Sequence, residues 1–448
     1  MKIYIFSFLI FIYFSIKLSF LEGCGISFSI YCILELFDKI GHEFCILEIV
    51  KVLTVVTCLL VPELFYHYFV NQIELLQFFE EMPVSLEKYY GFALPAVLLF
   101  IVGLNFNFQT KLPTTYFDSL KNALLNKGHY SIYFIAIGLL FSFLWKFVPS
   151  SLTYTFQIFT YFTYVGLFYA IFSDFKYKII VIISCLFISF FQIVATGMYF
   201  EAINFSSVII LILLTKAKIT EWKKYLVLIS GFILLIIIQS IKTEYRVQTW
   251  SDDERNGNAS VYLNIITNRI ANPNIIFEPI SALAFTKRLN HGLIIAKTID
   301  YVPKNTEFGY GTNIIKSFFS SLVPRFIWPN KPKTGGAYNI VRYLGDTDSA
   351  DNKNSYNLGL IGEAYANFGV IGGCIYLFFL GLFMKYIYSL CIKKLYLRPT
   401  LLLWYPMLFV SFFSTETDFL SFFNAFIKMS IIIAFIFSFS KRVFKISL

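Results

Sequence analysis

Apolar runs of helical length recur along this chain, and they fix its class before any motif is considered. They lie near 4–20, 21–37, 48–68, 90–107, 130–148, 153–172, 178–200, 203–215, 223–241, 359–388, 400–415 and 420–440. A helix that crosses a bilayer takes about 20 residues. The second and eighth runs are marginal, so the sequence predicts an all-α polytopic membrane protein with ten to twelve transmembrane helices. Composition agrees: 57% of residues are hydrophobic and 14% charged, more apolar than a soluble domain can hide. The first run has the hydrophobicity of a signal peptide. It lacks a small-residue cleavage site and is followed at once by more apolar sequence, so it reads as the first membrane helix.

One stretch breaks the pattern. Residues 242–358 are polar and carry six of the eight arginines, Arg246, Arg255, Arg269, Arg288, Arg325 and Arg342, with none before them. Before that stretch the cation is always lysine. A guanidinium is a permanently charged planar fork that grips phosphate or carboxylate through two parallel bonds. The chain therefore divides into an N-terminal helix bundle (1–241), a large loop (242–358) that handles an anion, and C-terminal membrane helices (359–448).

Orientation follows from lysines in the short loops. Lys2, Lys39, Lys121, Lys127, Lys176, Lys178, the 216–224 cluster, Lys393, Lys394 and the basic tail share one side under a twelve-helix count. The opposite short loops, 80–88, 148–151 and 414–418, are acidic or neutral. Both termini are then cytoplasmic and the large loop is external to the plasma membrane. The net charge of +10 reports this lysine bias and gives no reason to expect nucleic acid as a partner. The seven cysteines lie in or beside apolar runs, so they imply no disulfide framework in the loop.

The loop has helical periodicity. Val261, Ile265 and Arg269 share one helical face. Pro279 suits the first turn of a helix reaching about Leu289. Over 313–324, Ile314, Ile315, Phe318, Phe319 and Leu322 fall opposite Lys316, Ser317 and Ser321, a pattern for a helix lying in the membrane plane. The predicted architecture is an external cap of in-plane helices over a bundle.

Two segments stand out. In VPRFIWPNKP (323–332), prolines stiffen a turn that presents Arg325 and Lys331, and Trp328 suits the lipid headgroup level. The turn is either a cationic clamp or a surface anchor touching lipid phosphates. In GEAYANFGVIGG (362–373), Glu363 enters a membrane helix with Asn367 four residues on, on the same face. Gly369, Gly372 and Gly373 permit close helix approach. Glu363 is either a base, an orienter of the basic loop, or half of an ion pair with a loop arginine. The acidic run Asp252, Asp253 and Glu254 reads as a solvated turn, and the four histidines, His42, His67, His129 and His291, show no metal-ligand spacing.

These two segments, with EYR (244–246) at the loop's start and FGYGTN (308–313) leading into the first motif, resemble the bacterial O-antigen polymerase (Wzy-type) family of oligosaccharide repeat-unit polymerases. Residue-level similarity covers about 244–373, while the N-terminal helices match in hydrophobicity alone. The resemblance implies a GT-C-like membrane glycosyltransferase of the inner membrane. Its donor and acceptor would be undecaprenyl-diphosphate-linked oligosaccharides. No cofactor is expected, and the scattered histidines and solvated acidic run predict a metal-independent reaction. A polysaccharide chain-length regulator and membrane lipids are the implied partners.

Cations that stabilise the departing diphosphate would then be the main catalytic lever. Arg246, Arg269, Arg288 and Arg325 with Lys331 are the expected set, with Arg325, Arg246 and Glu363 catalytic. Trp328 and Asn367 would contact glycan. Glu363 is the first candidate base, with the 252–254 acids or His291 behind it, and Tyr310 and Tyr338 are candidates for stacking on sugar rings. Two alternatives stay open. One is an O-antigen ligase that transfers glycan to a lipid core. The other is a flippase or transporter, which would place charges inside its membrane helices facing a cavity; the run interiors are sparing in charge, with Lys17, Lys51 and Lys428 as exceptions.

Overall fold

A computed structural model describes residues 2–69, 80–108, 116–197, 199–217, 220–249, 258–325, 327–347, 356–413, 416–443 and 445. The predicted acidic turn at 252–254 and Arg255 lie outside them. Everything with regular structure among the described residues is helical, and seven helices are long and apolar enough to cross a membrane. Four further apolar helices are shorter, at 10–17 residues.

The chain begins as a hairpin of α1 (Lys2–Lys17) and α2 (Phe20–Lys39), joined at Ser19, whose hydroxyl and the Glu22 carboxylate close a reciprocal cap. A π-helical turn over Val56–Leu60 joins α3 (Ile46–Val55) to α4 (Val61–His67). Then come α5 (Leu86–Leu104), the short α6 (Tyr116–Ala123), α7 (Tyr130–Leu144), and α8 (Ser150–Thr160) with α9 (Phe162–Phe172) as one apolar column. The first half closes with α10 (Lys178–Thr196), α11 (Phe200–Ala217) and α12 (Glu221–Thr249). The loop holds α13 (Ala259–Ala271), α14 (Pro279–Leu289), α15 (Gly292–Tyr301), α16 (Thr312–Leu322) and α17 (Ala337–Leu344). The chain ends with α18 (Gly359–Leu397), α19 (Tyr405–Phe409) and α20 (Phe419–Val443).

The centre of the bundle is the pair α5 and α18. They cross where neither has a side chain: a Cβ on Gly103 would sit 2.3 Å from the Phe378 carbonyl oxygen, and one on Gly381 would sit 2.2 Å from that of Phe100. Small residues are how helices approach closely when lipid supplies no hydrophobic force. The run at 400–415, expected as one helix, is instead α19 flanked by two 3-10 turns, because Pro399 and Pro406 interrupt it. Leu401 to Phe413 are all buried, with Trp404 fully enclosed. Irregular backbone at such depth is tolerated only inside protein.

The three lysines noted inside the apolar runs have partners. Lys51 Nζ pairs with Glu35 at 2.7 Å and donates to Asn105 at 3.0 Å. Lys17 and Lys428 lie over the rings of Tyr13 and Tyr154.

α13, α14 and α16 form where the sequence places them. α13 turns Ile265 and Arg269 inward with Tyr262. α16 buries its polar face, Asn313, Ser317, Ser320 and Ser321, and leaves Ile315 59% and Phe319 53% exposed. A helix with its polar side against protein and its apolar side outward suits a lipid boundary.

Candidate functional site

α18 is two helices. At Gly369 the backbone turns to φ 66 and ψ −158, a conformation open essentially to glycine alone. The break frees the carbonyls of Ala366 and Asn367 from helical bonding, and the FGYGTN segment takes them: Gly309 N–H donates to Ala366 at 3.0 Å and Tyr310 N–H to Asn367 at 2.8 Å. The Phe308 ring packs on Gly369 and lies 5.9 Å from Tyr365. The segment then runs into α16. So a helix break in one motif is the docking place of another, and together they set the position of α16. Gly369 therefore makes a break, where the sequence reading gave it to close helix approach.

Against the buried polar face of α16 lies a pocket of about 560 Å³. Its wall includes Asn313, Lys316 and Ser317 of α16, Trp328 and Asn330 of the proline-rich turn, Lys333, Tyr338 and Asn339 around the start of α17, and Asp418 at the head of α20. Rings, amides, a hydroxyl, two ammonium groups and a carboxylate suit a ligand that is rich in hydroxyls and carries negative charge.

Glu363 lies beneath this pocket and is fully buried. Its Oε1 accepts from Asn339 Nδ2 at 3.3 Å, and its Oε2 accepts the Phe419 N–H at 2.6 Å. The ion pair with a loop arginine, one of the sequence readings, is replaced by an amide and a helix N-terminus. Asp418 caps the same helix, accepting the Ser421 N–H at 2.9 Å. Burial pushes the Asp418 carboxyl above its ordinary pKa. Asn367 donates to the Glu363 carbonyl at 2.9 Å, as the spacing of four predicts. Its Oδ1 is buried without a hydrogen-bond partner among the described residues. A Cβ on Gly309 would lie 2.5 Å from that oxygen and 2.3 Å from the Tyr343 hydroxyl.

The four expected arginines, Arg246, Arg269, Arg288 and Arg325, do not gather at the pocket. Arg325 folds back on its own turn, donating to the carbonyls of Pro329 at 3.0 Å and Lys331 at 3.4 Å. Lys331 Nζ points into the C-terminus of α16, donating to the carbonyls of Ser320 at 2.5 Å and Val323 at 2.7 Å. Partial burial, with Arg325 second, lowers its amine pKa. Arg246 donates twice to the Gly197 carbonyl. Arg269 pairs with Glu244 at 2.5 Å, and Arg288 with Glu416 at 2.7 Å. Of the expected site residues, Trp328 lines the pocket, Arg325 and Lys331 shape the turn beside it, and Glu363 and Asn367 lie in the layer below. Arg246, Arg269 and Arg288 do not line it.

His291 is buried at the start of α15 against the Leu358 carbonyl, and burial lowers its imidazole pKa. Tyr338 lines the pocket, while Tyr310 is exposed outside its wall. Sequence reasoning missed Asp418, Lys316, Lys333 and Asn339 as site residues. The 414–418 loop was read only for its charge, and Lys316 only as the polar side of an amphipathic helix. It also missed Glu22, Glu63 and His67, which come together although the histidines show no ligand spacing.

Residues 59–444 match the family described as Domain of unknown function (DUF8712). No curated protein and no solved structure matches the chain.

Proposed function

The chain belongs to the DUF8712 family, and from its own site we propose that it is a membrane glycosyltransferase joining lipid-diphosphate-linked oligosaccharide repeat units into a surface polysaccharide. The observation that carries this reading is the pocket. It is lined by Trp328 and Asn330 of one resembling motif, and Glu363 of the other reaches its wall through Asn339. It lies beside a helix whose apolar face is outward, and its wall suits a glycan and an anion. The large loop is on the outer face of the plasma membrane in this reading. The donor is a glycan on undecaprenyl diphosphate, the acceptor is one lipid-linked repeat, and the chemistry uses the chain's own cations and carboxylates.

A sugar hydroxyl of the acceptor attacks the anomeric carbon of the donor. The bond to the diphosphate oxygen breaks and the lipid diphosphate leaves with the electron pair. Asp418 lines the pocket and accepts the hydroxyl proton, while Glu363, wholly enclosed, holds the α20 N-terminus and Asn339 in place. Lys316 and Lys333 line the pocket, and in this reading they balance the leaving diphosphate. The ligase reading shares this chemistry and differs in acceptor. Transport fits less well, because Lys17, Lys51 and Lys428 are each engaged within the protein.

The test is deletion of the gene in its host, with surface glycan resolved on a gel. A single-repeat rung that wild type restores to a ladder supports the polymerase. Polymer accumulating on the carrier lipid with a bare core identifies the ligase. An unchanged ladder removes both.

A further inference from the structure

Where α2 begins and α4 ends, three side chains converge that take no part in the pocket. Glu63 and His67 are one turn apart on α4, so they leave the same face, and Glu22 reaches them from α2. His67 Nε2 contacts Glu22 Oε1 directly and lies 3.3 Å from Glu63 Oε1. One ligating atom from each residue lies within 4.8 Å of the others.

The second oxygen of each carboxylate is held elsewhere. Glu22 Oε2 accepts the Ser19 N–H at 2.6 Å, and Glu63 Oε2 accepts the Tyr90 hydroxyl at 2.7 Å. The protein thus fixes one oxygen of each carboxylate and leaves the other facing a common centre. Outer hydrogen bonds orient metal-holding carboxylates in this way. Glu63 gives a second, separate sign. It is 6% exposed, yet its Oε1 has no hydrogen-bond partner among the described residues. A buried carboxylate oxygen without a donor is costly. One Nε2 proton cannot serve two carboxylate oxygens, and an imidazolium balances only one of two negative charges.

We propose that Glu22, Glu63 and His67 form a divalent-cation site with two carboxylate oxygens and one imidazole nitrogen as protein ligands. A donor set of this kind suits a first-row ion such as Zn²⁺. Mg²⁺ and Ca²⁺ prefer more oxygens, with water or carbonyl among them. His67 is 48% exposed at its side chain, and water would complete the coordination of the ion. The bound ion would pin the α1–α2 hairpin to the end of α4. The site stands apart from the pocket and does not depend on the glycosyltransferase reading.

The test uses the full chain purified in detergent, stripped with chelator and titrated calorimetrically with Zn²⁺, beside Glu63→Gln and His67→Ala. Wild type is expected to bind one ion per chain and to gain melting temperature with it. Each variant should bind about tenfold more weakly or worse, and Zn²⁺ should leave the melting temperature of His67→Ala unmoved. His67 is half exposed, so its removal opens no core and decides the matter even if Glu63→Gln fails to fold. No saturable binding by wild type, or equal binding by His67→Ala, would overturn the site. Equal affinity for Mg²⁺ would overturn the assignment to a first-row ion.

Discussion

Asp418 is 2% exposed, caps α20 and lines the pocket, and the proposed reaction assigns it the proton of the attacking hydroxyl. Asp418→Asn keeps the cap and removes the base. The expected loss is about 10²–10⁴-fold in turnover with the fold retained. The sign of the pH dependence follows from burial. A base must be ionised to work, and the Asp418 carboxyl titrates above its ordinary value. Activity should therefore fall, as pH is lowered, at a pH above the usual aspartate range of about 3.9, and a pH–rate profile checks it. Lys331 makes a different prediction. Its ammonium closes the C-terminus of α16, so Lys331→Ala should cost about 1–2 kcal/mol, read as a lower melting temperature. An unchanged melting temperature with lost turnover would instead place Lys331 on the substrate.

At the scale of elements, the break at Gly369 decides where α16 lies. Gly369→Ala forces a side chain into a conformation that costs about 1–3 kcal/mol and should loosen the docking of Gly309 and Tyr310. Both the melting temperature and polymer length should drop, and a variant with neither effect would contradict the account. α13, α14 and α16 were legible in the sequence because periodicity and Pro279 mark them. The relation of Glu363 to Asn367 was legible because it is local. The break itself was not, since GEAYANFGVIGG reads as a continuous apolar helix until a tertiary partner for its carbonyls is known. Nor was Asp418 as a site residue, because it meets Glu363 and Asn339 only through folding. The run at 400–415 misled for the reverse reason: its hydrophobicity comes from burial in protein rather than from lipid.

At the scale of the molecule, contacts sort the chain into two ends. One holds Lys39, Phe44, Tyr116 and Pro399, linked by Tyr116 to the Pro399 carbonyl and Tyr388 to that of Phe44. The other holds the loop helices, Glu416 and the end of α4, linked by Arg288 to Glu416 and by Gly292 against Pro62. The lysine bias predicts that the second end is outside. The seven cysteines are buried or half-buried, so Tyr338→Cys should label with an impermeant maleimide on intact spheroplasts, and Lys393→Cys only after permeabilisation. The reverse pattern would invert the molecule and remove the external site. The most direct test of the central claim is reconstitution: purified protein in liposomes, given a lipid-diphosphate-linked repeat unit alone. The account predicts a series of longer lipid-linked glycans with release of lipid diphosphate, lost in Asp418→Asn. A repeat unit recovered unchanged from active, folded wild type would contradict it.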